Sequence, residues 1–154
     1  MTDVAERIEE SARELVRLAI ALRRATEIEA VRRRARDEFP EIASGTVRAV
    51  IAVRHLREQW FDAMLGEAAW SILLEALAAR LEGRTLGLSE LGAAAGLAKT
   101  TAHSAVSRLA ARGLLVRRAD PEDERIALID LTDEGADRLR AYLRAAFSPS
   151  LWVA

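Results

Sequence analysis

The 154-residue sequence has no cysteine. Disulfides, thiolate metal sites and thiol-based oxidant sensing are thereby excluded. Histidine is nearly as scarce. His55 and His103 stand far apart with no partner at metal-ligand spacing, so neither a metal nor a cofactor is expected. Aromatic residues make up 5 % of the chain and prolines number three, so little interrupts long helices. No apolar run approaches the length of a membrane span, and residues 1–6 lack the basic and apolar regions of a signal peptide; a cytoplasmic protein is expected. There is no glycine-rich phosphate loop, no nucleophile with a base at useful spacing and no metal cluster, which argues against an enzyme. The formal charge of −1 argues against an indiscriminate, histone-like binder of nucleic acid. Any affinity for DNA must come from a localised face.

What is present is apolar, charged and helix-forming: 51 % hydrophobic and 31 % charged residues, dominated by Ala, Leu, Arg and Glu. The length suits one ordinary domain, or a small domain with helical extensions. Residues 2–36 read as one long helix, with Ile8, Leu15, Leu18, Leu22, Ala25 and Ile28 forming a stripe. Its charge runs from acidic at the start to basic at Arg32, Arg33, Arg34 and Arg36, which complements the helix dipole. That explanation is preferred to a phosphate-binding arm because Asp37 and Glu38 follow directly. Phe39-Pro40 breaks the helix, and Ser44-Gly45-Thr46 starts another that reaches about Leu65. Val47, Val50, Ile51, Val53, Leu56, Trp60, Phe61 and Met64 cover most of this second helix, so it needs partners on more than one side. A third helix runs from Glu67 to about Ala79, with Trp70, Leu73, Leu74 and Leu77 inward.

The centre of the chain is the stretch from Leu88 to Thr132. Ser89 is the expected N-cap of a short helix with Glu90 in its first turn and Leu91, Ala94 and Ala95 on one face. Gly96 ends it, and Gly96-Leu97-Ala98 turns into a second helix capped by Thr100 or Thr101. Ala102, Ala105, Val106 and Leu109 then fall at i, i+3, i+4, i+7, which makes one buried stripe. The opposite face is Lys99, Thr100, Thr101, His103, Ser104, Ser107, Arg108 and Ala111: polar, short-chained and free of acid. Two helices joined by so short a glycine-containing turn form the helix-turn-helix pattern, whose second helix can enter a major groove.

Gly113 stops the second helix. Leu114 to Arg118 reads as a strand, residues 119–124 as a turn and Arg125 to Leu131 as the returning strand, which together make a wing; Leu86 adds a short third strand. Between Gly96 and Arg118 there are five basic residues (Lys99, Arg108, Arg112, Arg117, Arg118) and no acid. A local basic patch on a near-neutral chain is the footprint of a surface that meets phosphates. Thr132 caps a final helix that ends near Phe147, before Ser148-Pro149. The apolar end Leu151-Trp152-Val153 suggests packing on the core or on a second subunit.

The run Gly113-Leu114-Leu115-Val116-Arg117-Arg118, then Asp120-Pro121-Glu122-Asp123-Glu124-Arg125, then Leu131-Thr132-Asp133-Glu134-Gly135 resembles the wing signature of the MarR family of winged-helix transcription regulators. The likeness covers about Trp70 to Leu143. It implies a dimerising helical region upstream, a minor-groove arginine at Arg125, and an acid at Asp123 that steadies the wing by pairing with a basic residue such as Arg117. It also implies a small phenolic or aromatic effector between the helical base and the winged domain, for which Trp60 with His55 and Arg57 is the candidate edge and Trp70 is ordinary core. Two positions depart from the family pattern: Ser104 stands where many relatives carry Arg, and Glu124 where they often carry a basic residue.

The reading is a mainly α protein with a small β-hairpin wing: a helical dimerisation region over 1–66, a winged helix-turn-helix over 67–132, and a C-terminal helix with an apolar tail over 133–154. Its expected function is that of a homodimeric regulator, a repressor, on a pseudo-palindromic double-stranded DNA site. The DNA-contacting residues would be Lys99, Thr100, Thr101, His103, Ser104, Ser107, Arg108, Arg118 and Arg125. The alternative is a protein-interaction module on a winged-helix scaffold with little DNA binding of its own.

Overall fold

The computed structural model describes residues 2–38, 42–61 and 65–152. The Phe39-Pro40 break, Met64 and Val153 lie outside them. The elements are α1 (Thr2–Glu38), α2 (Ser44–Trp60), α3 (Glu67–Leu81), β1 (Leu86–Gly87), α4 (Leu88–Ala94), α5 (Lys99–Ala111), β2 (Leu115–Ala119), β3 (Ala127–Leu131), α6 (Asp133–Ala146) and α7 (Pro149–Trp152). The strands form one antiparallel sheet in the order β1-β3-β2. Leu86 pairs opposite Ile129, so the expected third strand is present.

The core lies where α3, α5 and α6 meet the sheet. Ile72, Leu73, Leu91, Leu109, Leu131, Leu139 and Val106 are its largest fully buried side chains. Stripes spaced three and four residues apart close round this centre, and each contributes one side of it. Arg80 fastens the rim: its guanidinium donates to the Leu131 carbonyl and to Asp133 Oδ1, both at 2.7 Å, which ties α3 to the end of β3 and the start of α6.

The leucine-threonine-glycine end of the wing has a clear physical role. The Thr132 hydroxyl accepts from the Gly135 amide at 3.0 Å, as an N-cap should, and donates to the Gly113 carbonyl at 2.7 Å. It thus joins the first turn of α6 to the end of α5. Gly135 lies against the Leu114 carbonyl so closely that a Cβ there would collide with it. Thr132→Ala is expected to lower stability by about 1 kcal/mol, read as a shifted urea midpoint with an unchanged slope, and Thr132→Ser should restore most of it.

Several boundaries differ from the sequence expectation. α2 ends at Trp60 rather than near Leu65, because Phe61 turns to extended backbone and buries its ring. That ring meets Trp70 and Tyr142 edge-on, at centroid distances of 5.5 and 6.0 Å. The N-cap of α4 is Gly87, not Ser89: β1 runs directly into the helix, and Glu90 Oε2 accepts from the Gly87 amide at 3.0 Å. α5 is capped at Ala98 with no side-chain hydrogen bond, so Thr100 and Thr101 lie inside the helix and are exposed. β2 is shifted by one residue, and β3 starts at Ala127 because Arg125 belongs to the turn.

α1 is unusual in how it is docked. It lies across α4, yet of its described side chains only Arg17 and Ile20 are partly buried. The stripe of Ile8, Leu15, Leu18, Leu22 and Ile28 is 45–69 % exposed. The helix therefore rests on the body by its charged side and turns its apolar side to solvent.

Candidate nucleic-acid interface

The two helices of the motif are held at contact distance by small residues. Gly92 of α4 lies so close to the Ala102 methyl of α5 that a Cβ at Gly92 would stand 2.7 Å from it. Gly96 makes the turn at φ 68°, a left-handed conformation that glycine adopts without steric cost. The Leu97 amide donates to the Gly92 carbonyl at 2.9 Å and closes α4. α5 then buries Ala102, Ala105, Val106 and Leu109.

The rest of α5 faces outward. Lys99, Thr100, Thr101, His103, Ser104, Ser107 and Arg108 are all exposed, and α5 itself contributes no acid to this face. Arg118 of β2 is exposed beside it. Lys99, Arg108 and Arg118 make no ion pair among the described residues. Arg117, expected to pair with Asp123, instead donates from Nη2 to Ser107 Oγ at 2.7 Å. Strand β2 packs on α5, so this bond links the wing to the recognition helix and adds a guanidinium to the surface. The basic patch contained Arg117, but spacing in the sequence holds no sign of a cross-element bond ten residues long.

The wing tip is built by its acids. Asp120 Oδ1 accepts from the Glu122 amide at 2.8 Å, and Asp123 Oδ1 accepts from the Arg125 amide at 3.0 Å. The partner that Asp123 takes is Arg125, whose Nε and Nη2 donate to its two oxygens at 3.0 and 3.1 Å. Arg125 is the nearest charged group within the turn, whereas Arg117 is drawn to α5. The side-chain and backbone bonds from Arg125 hold the Asp123 carboxyl below the usual aspartate range. The same pairing, with Glu9 and Glu6 of α1 nearby, raises the pKa of Arg125 further. Arg125 is thus at the wing tip, as the resemblance requires, but engaged by acids and apart from the α5 face.

The aromatic edge expected at Trp60 takes another form. Arg57 lies over the Trp70 ring at 5.4 Å and donates to Glu67 Oε1 at 2.7 Å, while His55 pairs with Glu58 at 3.5 Å. Trp70 is core, half-buried against Phe61 and Tyr142. Among the described residues no group of three or more His, Cys, Asp or Glu is placed to hold a metal ion.

A helix-turn-helix braced by a three-stranded antiparallel wing defines a winged helix. Residues 67–126 match the model of the MarR family. The fold is similar to Staphylococcus aureus MepR in a DNA complex, with 21 % identity over 66 % of this chain and 77 % of that one and a TM-score of 0.55. It is also similar to the transcriptional repressor CouR bound to a 23-mer DNA duplex: 21 % identity, 66 % and 67 % of the two chains, TM-score 0.51. NadR in complex with 4-hydroxyphenylacetate shares the fold at 22 % identity, 71 % and 75 % coverage and a TM-score of 0.51. Among curated proteins nothing matches the sequence.

Proposed function

We propose that this chain is a homodimeric, sequence-specific repressor whose α5 helices enter successive major grooves of a pseudo-palindromic site, about one helical turn apart. The observation that carries this reading is the acid-free outer face of α5, continuous with Arg117 and Arg118 of the wing. Thr100, Thr101, His103, Ser104 and Ser107 suit base edges and phosphates; Lys99, Arg108 and Arg118 suit phosphates. Arg125 reaches a minor groove only after parting from its acids.

The dimer is supported by apolar surface that the single chain leaves uncovered. The α1 stripe is exposed, as are Val47, Val50 and Ile51 of α2 and Trp152 of α7. Helix α2 packs on α6 and α7, and Trp152 Nε1 donates to the Ala146 carbonyl at 2.7 Å, within the C-terminal segment. A second copy is the occupant we assign to the uncovered surface. A cavity of about 320 Å³ between α1 and α3 has room for a small-molecule effector; Ile20, Leu74, Ala78 and Leu86 line it, with Arg24 and Glu75 among its charged residues. Burial raises the Glu75 carboxyl above its ordinary range, so it is suited to share a proton with a polar ligand group. No helix among the described residues is long and apolar enough to cross a membrane, which fits action in the cytoplasm.

The test is binding of the purified chain to labelled fragments from its own genomic neighbourhood under excess competitor DNA, across a salt series. Tight binding to one fragment is expected, with two chains per duplex by sedimentation and a log–log salt slope of about −0.9 per phosphate neutralised. Weak, equal binding to every fragment would overturn the reading and favour the interaction module, for which the exposed apolar faces of α1 and α2 would be the docking surface.

A further inference from the structure

The N-terminal half of α1 lies beside the wing. Glu9 Oε2 is 3.9 Å from Arg125 Nη2, and Glu6 adds to the same field. Glu10, Arg13 and Arg17 wall one side of a cavity of about 500 Å³; Lys99 at the start of α5 and Asp120, Arg125 and Leu128 of the wing line the other. Residues 1–14 hold five acids against two arginines. Of the arginines here, Arg13 pairs with Glu9 and Arg17 with Glu14 inside the helix, and the groups of α1 that act on Arg125 are Glu9 and Glu6.

We propose that the acidic half of α1 is an internal competitor of DNA, an arm that lies beside the exposed Arg125 and Lys99 and is displaced when phosphates take its place. The proposal rests on the DNA-binding reading of α5 and the wing. Its physical logic is direct. A carboxylate beside Arg125 takes the place of a phosphate oxygen, and a helix about 10 Å across fills the space a backbone needs. The arm is held by exposed charges, not by its apolar stripe, so salt screens the contact and little apolar burial opposes release. The helix that offers the competing charge also carries the stripe assigned above to the second copy. Pairing of the subunits and exposure of the wing are therefore linked through one element.

The experiment uses the full chain. Glu6→Gln, Glu9→Gln and Glu10→Gln together are expected to tighten binding to the operator fragment about tenfold at low salt, with the gain shrinking as salt rises. An equal charge change away from the wing, Glu27→Gln, Glu29→Gln and Glu58→Gln, should leave affinity within about twofold. Because the chain has no cysteine, Ala5→Cys and Ala119→Cys supply the two thiols that carry a donor–acceptor dye pair. Diluted in excess unlabelled chain, the pair should lose energy transfer when operator is added, and also when salt is raised without DNA. Equal affinity gains in the two glutamine triples, or transfer unchanged by both operator and salt, would overturn the arm. A chain that binds no fragment fails the proposed function instead. The dyes then decide the arm alone: transfer that falls with salt and in the first triple supports it, and constant transfer refutes it.

Discussion

Replacing Lys99, Arg108 and Arg118 together by alanine should weaken DNA binding about a hundredfold, at roughly 1 kcal/mol per exposed charge-assisted contact and 1.4 kcal/mol per tenfold. The salt slope should shrink by about one unit for each cation removed. These three are the test because they are exposed on the α5 and wing surface and pair with nothing among the described residues, so removing them disturbs no internal bond. Arg138→Ala is the control: it pairs with Glu134 within α6 and lies outside that surface. Fluorescence anisotropy on the operator fragment at several salt concentrations reads both quantities. Unchanged affinity and slope in the triple variant would remove this face from the interface. Arg117 should behave differently from the other three. Arg117→Ala deletes a cation and also leaves the Ser107 hydroxyl without its partner, so it reports the brace between wing and helix as well as charge.

The largest effect on stability is expected for Leu109→Ala. Leu109 is fully buried on α5, in the cluster that includes Leu73, Leu91, Val106 and Leu139. Truncation removes the transfer energy of the lost atoms and leaves a cavity that the surrounding helices only partly fill, a loss of about 2–5 kcal/mol. For a chain of this length that lowers the melting temperature by roughly 5–15 °C, measured by circular dichroism. Leu81→Ala, at a residue 66 % exposed, should change stability by no more than about 0.5 kcal/mol. Equal melting temperatures for the two variants would mean that α5 is not anchored through its buried stripe. The same truncation should also loosen the outer face of α5, since Arg108 adjoins Leu109 and is aimed by the packing beneath it.

The motif helices, the wing and its third strand, the Thr132 cap and the acid-free face were all legible from residue order. Apart from the third strand, in which Leu86 pairs with the distant Ile129, each rests on interactions between residues close in sequence. A stripe at i, i+3, i+4, i+7 selects the buried side of α5 whatever surrounds it. A glycine at a left-handed turn, as at Gly96 and Gly113, ends a helix locally. Threonine before an acidic first turn starts one. The boundaries that moved were those where a distant partner outbids a local signal. Ser89 is a good cap residue, but the pairing of Gly87 with Leu128 begins α4 before it. Phe61 continues the apolar pattern of α2, but the Trp70 and Tyr142 rings draw it into the core.

The partners of the arginines were beyond the sequence for the same reason. Arg117 and Arg125 lie eight residues apart, both near Asp123, and spacing alone does not choose between them; the packing of β2 on α5 does, by bringing Arg117 to Ser107. The stripe of α1 was equally plain in the sequence, yet its placement was not. A stripe states that apolar surface must be covered and not by what. Only the tertiary arrangement sets α1 across α4 by its charged side, with Glu9 at the wing and the leucines turned outward, because long-range contacts depend on which surfaces the rest of the chain has already filled.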